Sequence, residues 1–309
     1  MNILDAVKNP RRVIFAYGIR GGFRFLDDET YTKLMYRMFH GRKLNLENPK
    51  LFTEKICWLK INNHQSQYTR MVDKYEAKEY VGSIIGEQYI IPTLGVWDTF
   101  EEIDFSELPD QFVLKTTHDS GGVVVCKNKA SFDIEQAKKK LNASLKRNYY
   151  WAGREWNYKN VKPRIIAEKY MPIDDAECAE FKMFCFNGKV TYILVCKGEA
   201  HIIGKRTNDF FDAQFDHIPV ETVNPNAKEE FKKPKEFDEL VRLAEILSTN
   251  SPLLRVDFYL TKQGLYFGEL TFYHDSGFVR FNPQKYDAIF GSKLDISEII
   301  KEKEKESKK

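Results

Sequence analysis

Two carboxylates and an arginine near the end of the chain could do chemistry together. They lie in LLRVDFYLTKQGLYFGELTFYHDSGF, where Asp257 and Glu269 fall on two strand-like runs joined by a turn at 262–264. Arg255 precedes Asp257 by two residues, so both side chains face the same side of a strand. Charges buried on such a face need compensation. Mg²⁺ with nucleotide phosphates would supply it, because hard divalent ions take oxygen ligands and bridge phosphates. The alternative is a structural ion pair between Arg255 and one of the carboxylates.

A second candidate lies in the segment FVLKTTHDSGGVVVCKNK. Lys115 ends a strand-like run, and the loop after it contains Gly121 and Gly122. Backbone N–H groups at such glycines can approach phosphate oxygens without a Cβ in the way. His118 and Ser120 would add hydrogen-bond donors. The Walker pattern GxxxxGK[ST] is absent, so an ordinary hairpin with a surface lysine is the alternative interpretation.

A third candidate is RIIAEKYM, which runs into PIDDAE. A strand that ends in Glu-Lys-Tyr-Met before a proline is typical of a hinge between lobes. A purine can be bound there by main-chain groups and a carboxylate, for which Glu168 is the candidate. Asp175, seven residues later, could accept hydrogen bonds from ribose hydroxyls. A capped strand end without a ligand is the alternative.

Hydrophobic periodicity predicts the elements that must hold these residues. Helical spacing extends to about residue 48, and further helices are predicted at 51–63, with Thr53 as a candidate cap, at 72–84, opening with Asp73-Lys74, at 132–149 and at 237–247. Strands are predicted at 112–115, 123–126, 164–170, 181–186, 190–195, 253–260 and 265–270, and 89–92 and 94–97 are short β-like runs. Asn187-Gly188 is a hairpin signal. A long polar stretch to about 235 carries no predicted element. Helices, a small mixed unit and a larger antiparallel sheet, in that order, predict an α+β fold in two lobes.

Composition excludes several classes of protein. The 48 basic and 45 acidic residues give a net charge of +3, and without a basic stripe this argues against nucleic acid as a partner. The five cysteines form no CxxC pair, which favours reduced thiols in a cytoplasmic protein. No run is apolar and long enough for an integral membrane segment. A peripheral contact with the inner face of a membrane stays open, with amphipathic packing on the protein as the alternative, because the N-terminal segment contains several basic residues: Lys8, Arg11, Arg12, Arg20 and Arg24.

The order of the candidate pieces is more specific than any one of them, and it follows the order of the ATP-grasp fold. The segments FTEKICWLK, DKYEAKEYVGSIIGEQYIIP, IDFSELPDQFVLKTTHDSGG, REWNYKNVKPRIIAEKYM, FKMFCFNGK, RVDFYL and YFGELTFY resemble the TupA-like ATP-grasp family of bacterial cell-surface polysaccharide clusters. The resemblance runs from about Asn45 to Leu294 and implies two α+β lobes that clamp ATP. It implies a helical N-terminal region at 1–70, a small lobe with its preceding elements at 71–172, a large lobe with the metal site at 173–300, and a charged tail at 301–309.

The resemblance also implies a nucleotide site. Lys74 and Lys115 would contact the phosphates, and the loop of Ser120, Gly121 and Gly122 would cover them. Glu168 would hold the adenine together with the backbone of the residues that follow it, and Asp175 would hold the ribose. The backbone positions concerned are Lys169, Tyr170 and Met171.

For the metal and the reacting phosphoryl group, the resemblance points to the large lobe. Asp257 and Glu269 would ligate Mg²⁺. The wider fold has asparagine two residues after the glutamate, and here Thr271 stands there, a weaker ligand that puts a second tightly held ion in doubt. Arg255 and Lys182 would be the catalytic cations. His118, His274 and Asp275 are candidates for the acceptor pocket, and an ordinary surface residue is the alternative for His274.

The activity that the resemblance implies is that of a ligase. ATP with Mg²⁺ would convert a carboxylate into an acyl phosphate, which an amine or amino acid then attacks. The expected carboxylate is a uronic acid of a surface glycan or of its sugar-nucleotide precursor. Two alternatives remain: an ATP-grasp sugar kinase, which needs one acceptor, and a glycosyltransferase. The acidic pairs Asp27-Asp28 and Asp174-Asp175 lack the Asp-x-Asp spacing common in glycosyltransferases.

Overall fold

Two antiparallel sheets organise the chain in the computed structural model, which describes residues 9–172, 178–198 and 206–306. The strands are β1 (Thr93–Trp97), β2 (Phe112–Thr116), β3 (Val123–Cys126), β4 (Ile165–Lys169), β5 (Ala179–Phe186), β6 (Lys189–Gly198), β7 (Arg206–Asp212), β8 (His217–Ile218), β9 (Leu253–Thr261) and β10 (Gly264–Thr271). The smaller sheet has the order β1-β4-β2-β3, and the larger has the order β10-β9-β5-β6-β7-β8. This α+β arrangement confirms the predicted fold class.

Helices flank both sheets. They are α1 (Pro10–Ile19), α2 (Asp28–His40), α3 (Phe52–Asn62), α4 (Gln67–Val72), α5 (Glu76–Ile85), α6 (Ile134–Leu145), α7 (Tyr150–Gly153), α8 (Phe237–Ser248), α9 (Lys285–Lys293) and α10 (Ser297–Glu306). The side chain of Asp27 caps α2 by accepting from the backbone N–H of Thr30 at 2.8 Å, and Gly41 ends that helix with a positive φ. None of the helices in the described ranges is long and apolar enough to cross a membrane.

Each sheet has its own apolar core. Phe112 and Leu114 point from β2 toward α6, where Leu141 is fully buried. The larger core lies between the six-stranded sheet and the helices, and it includes Phe181 of β5. Val81 of α5 also belongs to this larger core, so α5 packs with the large sheet although it precedes the small one.

Two local predictions need correction. Thr53 does not cap α3: Leu51 is the cap residue, and the Thr53 hydroxyl lies inside the first turn, 2.9 Å from an Asp287 oxygen. Residues 72–84 are not one helix, because α4 ends at Val72 and α5 begins at Glu76. The Asp73 carboxylate accepts from the backbone N–H of Tyr75 at 2.8 Å, which stabilises a turn in place of a helix.

The polar stretch after β6 contains strands that the sequence did not reveal. β7 and β8 extend the larger sheet at its edge. β7 has the sequence RTNDFFD, in which polar residues occupy both faces of its first half, so no apolar alternation marks it as a strand. The predicted helix 132–149 is also shorter than expected, ending at Leu145 before the separate turn of α7.

Candidate active site

The charged residues predicted in the large lobe lie on one face of the six-stranded sheet. In the pairing of β5 with β9, Lys182 is opposite Asp257, and in the pairing of β9 with β10, Glu269 is opposite Asp257 and Thr271 is opposite Arg255. Residues opposite each other in an antiparallel ladder point to the same face. The structure therefore brings together all five of these predicted residues.

A bulge in β10 is needed for this arrangement. Phe267 pairs with Phe258 and Glu269 pairs with Asp257, so Gly268 is an extra residue between them. Strict alternation would put Phe267 and Glu269 on the same face. Because of the bulge, Phe267 is buried in the core while the Glu269 side chain faces the charged site and is 42% exposed.

An ion-pair network joins these groups. The Arg255 guanidinium donates to both oxygens of Asp257 at 2.7 Å, and it also donates to Glu269 at 2.7 Å. The Lys182 ammonium lies 2.5 Å from Asp257, which is completely buried. The ion pair considered as an alternative from the sequence is therefore present and involves both carboxylates, so the buried charges are compensated by protein groups.

The network sets the protonation states. Burial opposes the positive charge of Lys182, but Asp257 outweighs it and raises the pKa of the lysine. Burial also opposes the charge of Glu269, but Arg255 outweighs it and lowers the pKa of this carboxyl. His274 Nδ1 accepts from Arg255 at 2.8 Å, and burial with the nearby arginine lowers the pKa of His274 to about 4. At neutral pH Lys182 and Glu269 are therefore charged and His274 is neutral.

The donor set is suited to Mg²⁺. Mg²⁺ in nucleotide sites is held by one or two carboxylates, with phosphates and water completing its shell. Asp257 and Glu269 are such carboxylates, and the Thr271 hydroxyl is 3.2 Å from Glu269. Both oxygens of Asp257 already accept from cations, so Glu269 offers the accessible oxygen. The described part of the chain contains no group of three or more His, Cys, Asp or Glu side chains that could hold a metal ion.

In the small lobe, Glu168 lies between two lysines. Its carboxylate is 2.5 Å from the ammonium of Lys115 and 2.6 Å from that of Lys78. Burial raises the pKa of Glu168, but the two lysines outweigh it and hold the value at about 2. The sequence predicted that Lys115 contacts the ATP phosphates and that Glu168 holds the adenine. In the structure these two side chains form an ion pair with each other. Lys78 was missed, although its place on α5 one turn after Lys74 was a usable signal.

The predicted adenine-binding backbone follows β4. The N–H of Lys169 donates to the Pro92 carbonyl at 3.0 Å, so that donor is already used within the sheet. Tyr170 is half-buried and Met171 is buried directly after the strand. Asp175, the candidate for the ribose, lies outside the described residues.

The glycine loop after β2 is held by an aspartate that sequence reasoning missed. The Asp119 carboxylate is buried and accepts from the Ser144 hydroxyl at 2.6 Å and from the Ser120 N–H at 2.8 Å. The Lys74 ammonium donates to the Asp119 carbonyl at 2.6 Å. Burial lowers the pKa of Lys74, and the negative charge of Glu269, on the larger sheet, opposes this shift. His118 is buried and its Nε2 lies 3.0 Å from the Arg147 carbonyl.

The two glycines of this loop have different roles, and substitution should separate them. Gly121 has φ +90° and open space around its missing Cβ, whereas a Cβ on Gly122 would lie 2.1 Å from the Thr116 hydroxyl. Asparagine tolerates a positive φ better than alanine. We therefore expect Gly121→Asn to cost less stability than Gly121→Ala. Gly122→Ala should cost about 1–3 kcal/mol by overpacking, and Gly122→Asn more. Urea denaturation of the four variants measures their free energies of unfolding. Asparagine should be the more stable substitution at position 121 and alanine at position 122, and the same order of stability at both positions would contradict this prediction.

The loop after β10, predicted to line the acceptor pocket, has an unusual backbone. Asp275 and Ser276 both have positive φ, at 47° and 55°. The Ser276 hydroxyl donates to the buried Glu155 at 2.5 Å, and the Lys60 ammonium donates to the Ser276 carbonyl at 2.8 Å. Strain of this kind persists only where surrounding contacts hold it. Lys60 and Glu155, both missed from the sequence, therefore fix the position of Asp275 beside His274.

The chain combines two antiparallel sheets, a glycine loop held by Lys74, and a sheet face on which Arg255 contacts two carboxylates. Together these features define a protein of the ATP-grasp class. The sequence model of the TupA-like ATP-grasp family matches residues 54–295, and the chain belongs to this family. No curated protein matches it significantly in sequence.

Several solved ligases are similar in structure. The D-alanine–D-alanine ligase from Bacillus anthracis, complexed with ATP, is 18% identical with a TM-score of 0.42, covering 77% of this chain and 66% of that one. The L-amino acid ligase from Bacillus licheniformis is 13% identical with a TM-score of 0.47, covering 85% and 58%. The ADP complex of N5-carboxyaminoimidazole ribonucleotide synthetase is 16% identical with a TM-score of 0.44, covering 79% and 56%. The chain spans less than two thirds of each of these proteins. Family membership therefore rests on the sequence match.

Proposed function

We propose that the chain is an ATP- and Mg²⁺-dependent ligase that activates a carboxylate and joins it to an amine or amino acid. The observation that carries this proposal is the single sheet face on which Arg255 and Lys182 contact Asp257, with Glu269 beside them. Such a face can bind anionic phosphate and neutralise charge that develops during transfer. Membership in an ATP-grasp family supports the same assignment.

In the proposed reaction, a carboxylate oxygen attacks the γ-phosphorus of ATP, and the bond to ADP breaks. The resulting acyl phosphate is attacked at its carbonyl carbon by an amine, and phosphate leaves. Burial opposes the positive charges of Lys182 and Arg255, but the carboxylates around them outweigh it and raise both pKa values, so both groups keep their protons. They can therefore act as fixed cations for the transferred phosphoryl group. Mg²⁺ would supply further neutralisation of phosphate charge, and Asp257, Glu269 and Thr271 are the residues that would hold it.

The small lobe contributes positioning. Lys74 holds the glycine loop in place by donating a hydrogen bond to the Asp119 carbonyl, and an ion pair with Glu168 fixes the position of the Lys115 ammonium. Lysines held in this way lose less conformational freedom when they bind phosphate, which favours the bound geometry. A loop that covers the site would also exclude water, which otherwise hydrolyses an acyl phosphate.

The proposed acceptor is a uronic acid of a bacterial surface polysaccharide or its precursor, modified in the cytoplasm. This finer assignment depends on the resemblance of the sequence to the TupA-like family. The sugar-nucleotide and lipid-linked forms of the acceptor share the same carboxylate.

ADP release separates the ligase from its alternatives. We expect the protein to release ADP from Mg-ATP only when a hexuronate and an amino acid are both present, because the acyl phosphate needs a nucleophile to be consumed. A coupled ADP assay with each substrate omitted in turn measures this. Full ADP release with a neutral sugar alone, leaving a stable phosphoester, would indicate a kinase. Hydrolysis of a UDP-sugar without ATP would indicate a glycosyltransferase.

A further inference from the structure

We propose that the N-terminal patch, residues 9–26, docks on an anionic lipid surface through its arginines and its exposed apolar side chains. The patch consists of α1 and the turn that follows it. Its sequence, NPRRVIFAYGIRGGFRFL, contains four arginines and no acidic residue, which gives a net charge of +4. The whole chain has a net charge of +3, so the remaining residues together carry −1 and the positive charge is concentrated here. This inference does not rest on the proposed ligase function.

Several apolar side chains of the patch are exposed. Phe25 is 84% exposed, Tyr17 is 57% exposed and Ile19 is 41% exposed. The Phe23 ring lies between two of them, with its centroid 4.8 Å from that of Tyr17 and 6.3 Å from that of Phe25. The three aromatic rings therefore form one cluster. Contiguous apolar surface of this kind is costly to expose to water, and it marks an interaction site.

Helix α1 has apolar residues on both of its faces. On the inner face, the Phe15 ring lies 5.0 Å from the Phe39 ring and 5.3 Å from the Phe278 ring, and Gly18 is buried against Met35. A surface helix of a soluble protein normally has a polar outer face, so an apolar outer face indicates a partner that is itself apolar. By helical periodicity, the outer face of α1 is apolar with an arginine near each end: Arg12, Val13, Ala16, Tyr17, Ile19 and Arg20.

The arginines of the patch are available to an anionic partner. The Arg24 guanidinium donates to the Gly21 carbonyl at 3.0 Å and lies 5.2 Å from the centroid of the Trp151 ring, which fixes its position at the surface. Exposed guanidinium groups without carboxylate partners can each pair with a lipid phosphate. All four are exposed and form no ion pair within the described part of the chain: Arg11, Arg12, Arg20 and Arg24.

The turn after α1 holds Phe25 in its exposed position. Phe23 has a φ of 55°, which is rare for a bulky residue and persists only where surrounding contacts hold it. The buried Arg154 contributes by donating to the Phe23 carbonyl at 3.1 Å, and the Leu26 N–H donates to the same oxygen at 3.0 Å. The turn is therefore fixed before any partner binds, which lowers the entropy cost of docking.

The combination of charge and apolar surface favours a lipid bilayer over a second copy of the chain. A two-fold dimer through the patch would bring two surfaces of +4 together, and like charges facing each other oppose association. In an anionic bilayer, arginines pair with the headgroups while aromatic and aliphatic side chains enter the interface. Amphipathic packing on the protein, the alternative from the sequence, accounts for Phe15 but leaves Phe25 in water.

The patch lies next to the candidate active site. Phe15 of α1 contacts Phe278, and His40 Nε2 of α2 lies 3.0 Å from the Gly277 carbonyl, so both helices pack on the loop that carries Asp275. A bilayer on the outer face of α1 would lie about one helix diameter, ~10 Å, from this loop. Docking would therefore hold the candidate active site close to the membrane.

Flotation of the full chain with vesicles, over a range of lipid concentrations, tests the patch. We expect vesicles of one third phosphatidylglycerol and two thirds phosphatidylcholine to bind at least ~100-fold more tightly than phosphatidylcholine alone, with about fivefold for each of three arginines. Phe25→Ser should weaken binding to the anionic vesicles about tenfold, since burial of a phenylalanine side chain contributes about that factor or more. The double variant Arg12→Gln, Arg20→Gln should weaken it about 25-fold.

Matched controls lie outside the patch. Val223→Ser removes another apolar side chain, which is 81% exposed, and the double variant Lys232→Gln, Lys293→Gln removes two exposed charges. Neither control should change lipid binding. Absence of binding, equal binding to both kinds of vesicle, unchanged binding in Phe25→Ser, or an equal loss in the controls would overturn the proposal. A dimer of the lipid-free protein that Phe25→Ser dissociates, measured by sedimentation velocity, would also overturn it, because the patch would then be a contact between copies.

Discussion

Asp257→Asn should abolish most of the ATP-dependent reaction, with ADP release falling at least ~100-fold, the loss typical when a charge-stabilising group is removed from a transfer site. The substitution keeps the shape of the side chain but removes the charge that both Arg255 and Lys182 contact. It also removes one of the two carboxylates proposed for Mg²⁺. Steady-state ADP release with a hexuronate and an amino acid measures the effect.

The same variant should lose stability, because it leaves two buried cations with fewer counter-charges. Breaking a buried ion pair from one side costs about 3–5 kcal/mol. Asparagine keeps one acceptor, and Arg255 keeps Glu269 at 2.7 Å, so the lower end of that range is expected. Asp216→Asn, an exposed aspartate near the edge of the same sheet, is the control. Wild-type ADP release by a folded Asp257→Asn protein would remove the proposed site.

Glu168→Gln should destabilise the protein at neutral pH and make its stability less sensitive to acid. The pKa of Glu168 is held at about 2, below its ordinary 4.5, because Lys115 and Lys78 outweigh the cost of burial. At 1.36 kcal/mol per pKa unit, this amounts to roughly 3 kcal/mol of stability. A depressed carboxyl pKa stabilises above the unfolded value, so the contribution is complete above about pH 4.5 and is lost as pH falls through about 2.

Urea denaturation of wild type and Glu168→Gln at several pH values measures this contribution. The difference in unfolding free energy between the two proteins should be largest near pH 7 and should shrink between pH 4.5 and pH 2. Glu135→Gln, at an exposed position on α6, should show no such change. A difference that stays constant across this range would mean that Glu168 is not the carboxylate that the two lysines stabilise.

Local patterns in the sequence predicted most of the strands and helices, although not β7 and β8, and they predicted which charged residues share a strand face. Asn187 and Gly188 both have positive φ in the turn between β5 and β6, as the Asn-Gly signal predicts. Arg255 and Asp257 share a face because side chains alternate along a strand, and apolar runs located β2, β5, β6, β9 and β10. These features depend on residues close together in the chain, whose spacing can be read directly.

The partners of the charged groups were decided only by tertiary structure. Glu168 forms an ion pair with Lys78, which lies 90 positions earlier in the chain, and Ser276 donates a hydrogen bond to Glu155, which lies 121 positions earlier. Nothing in either segment specifies the other, because such contacts depend on strand register and on how the helices pack. The bulge at Gly268, which turns Glu269 toward Asp257, is likewise visible only in the register of β10 against β9. Sequence periodicity determines which face a residue occupies, whereas long-range packing determines which charges meet there and therefore which groups remain for a ligand.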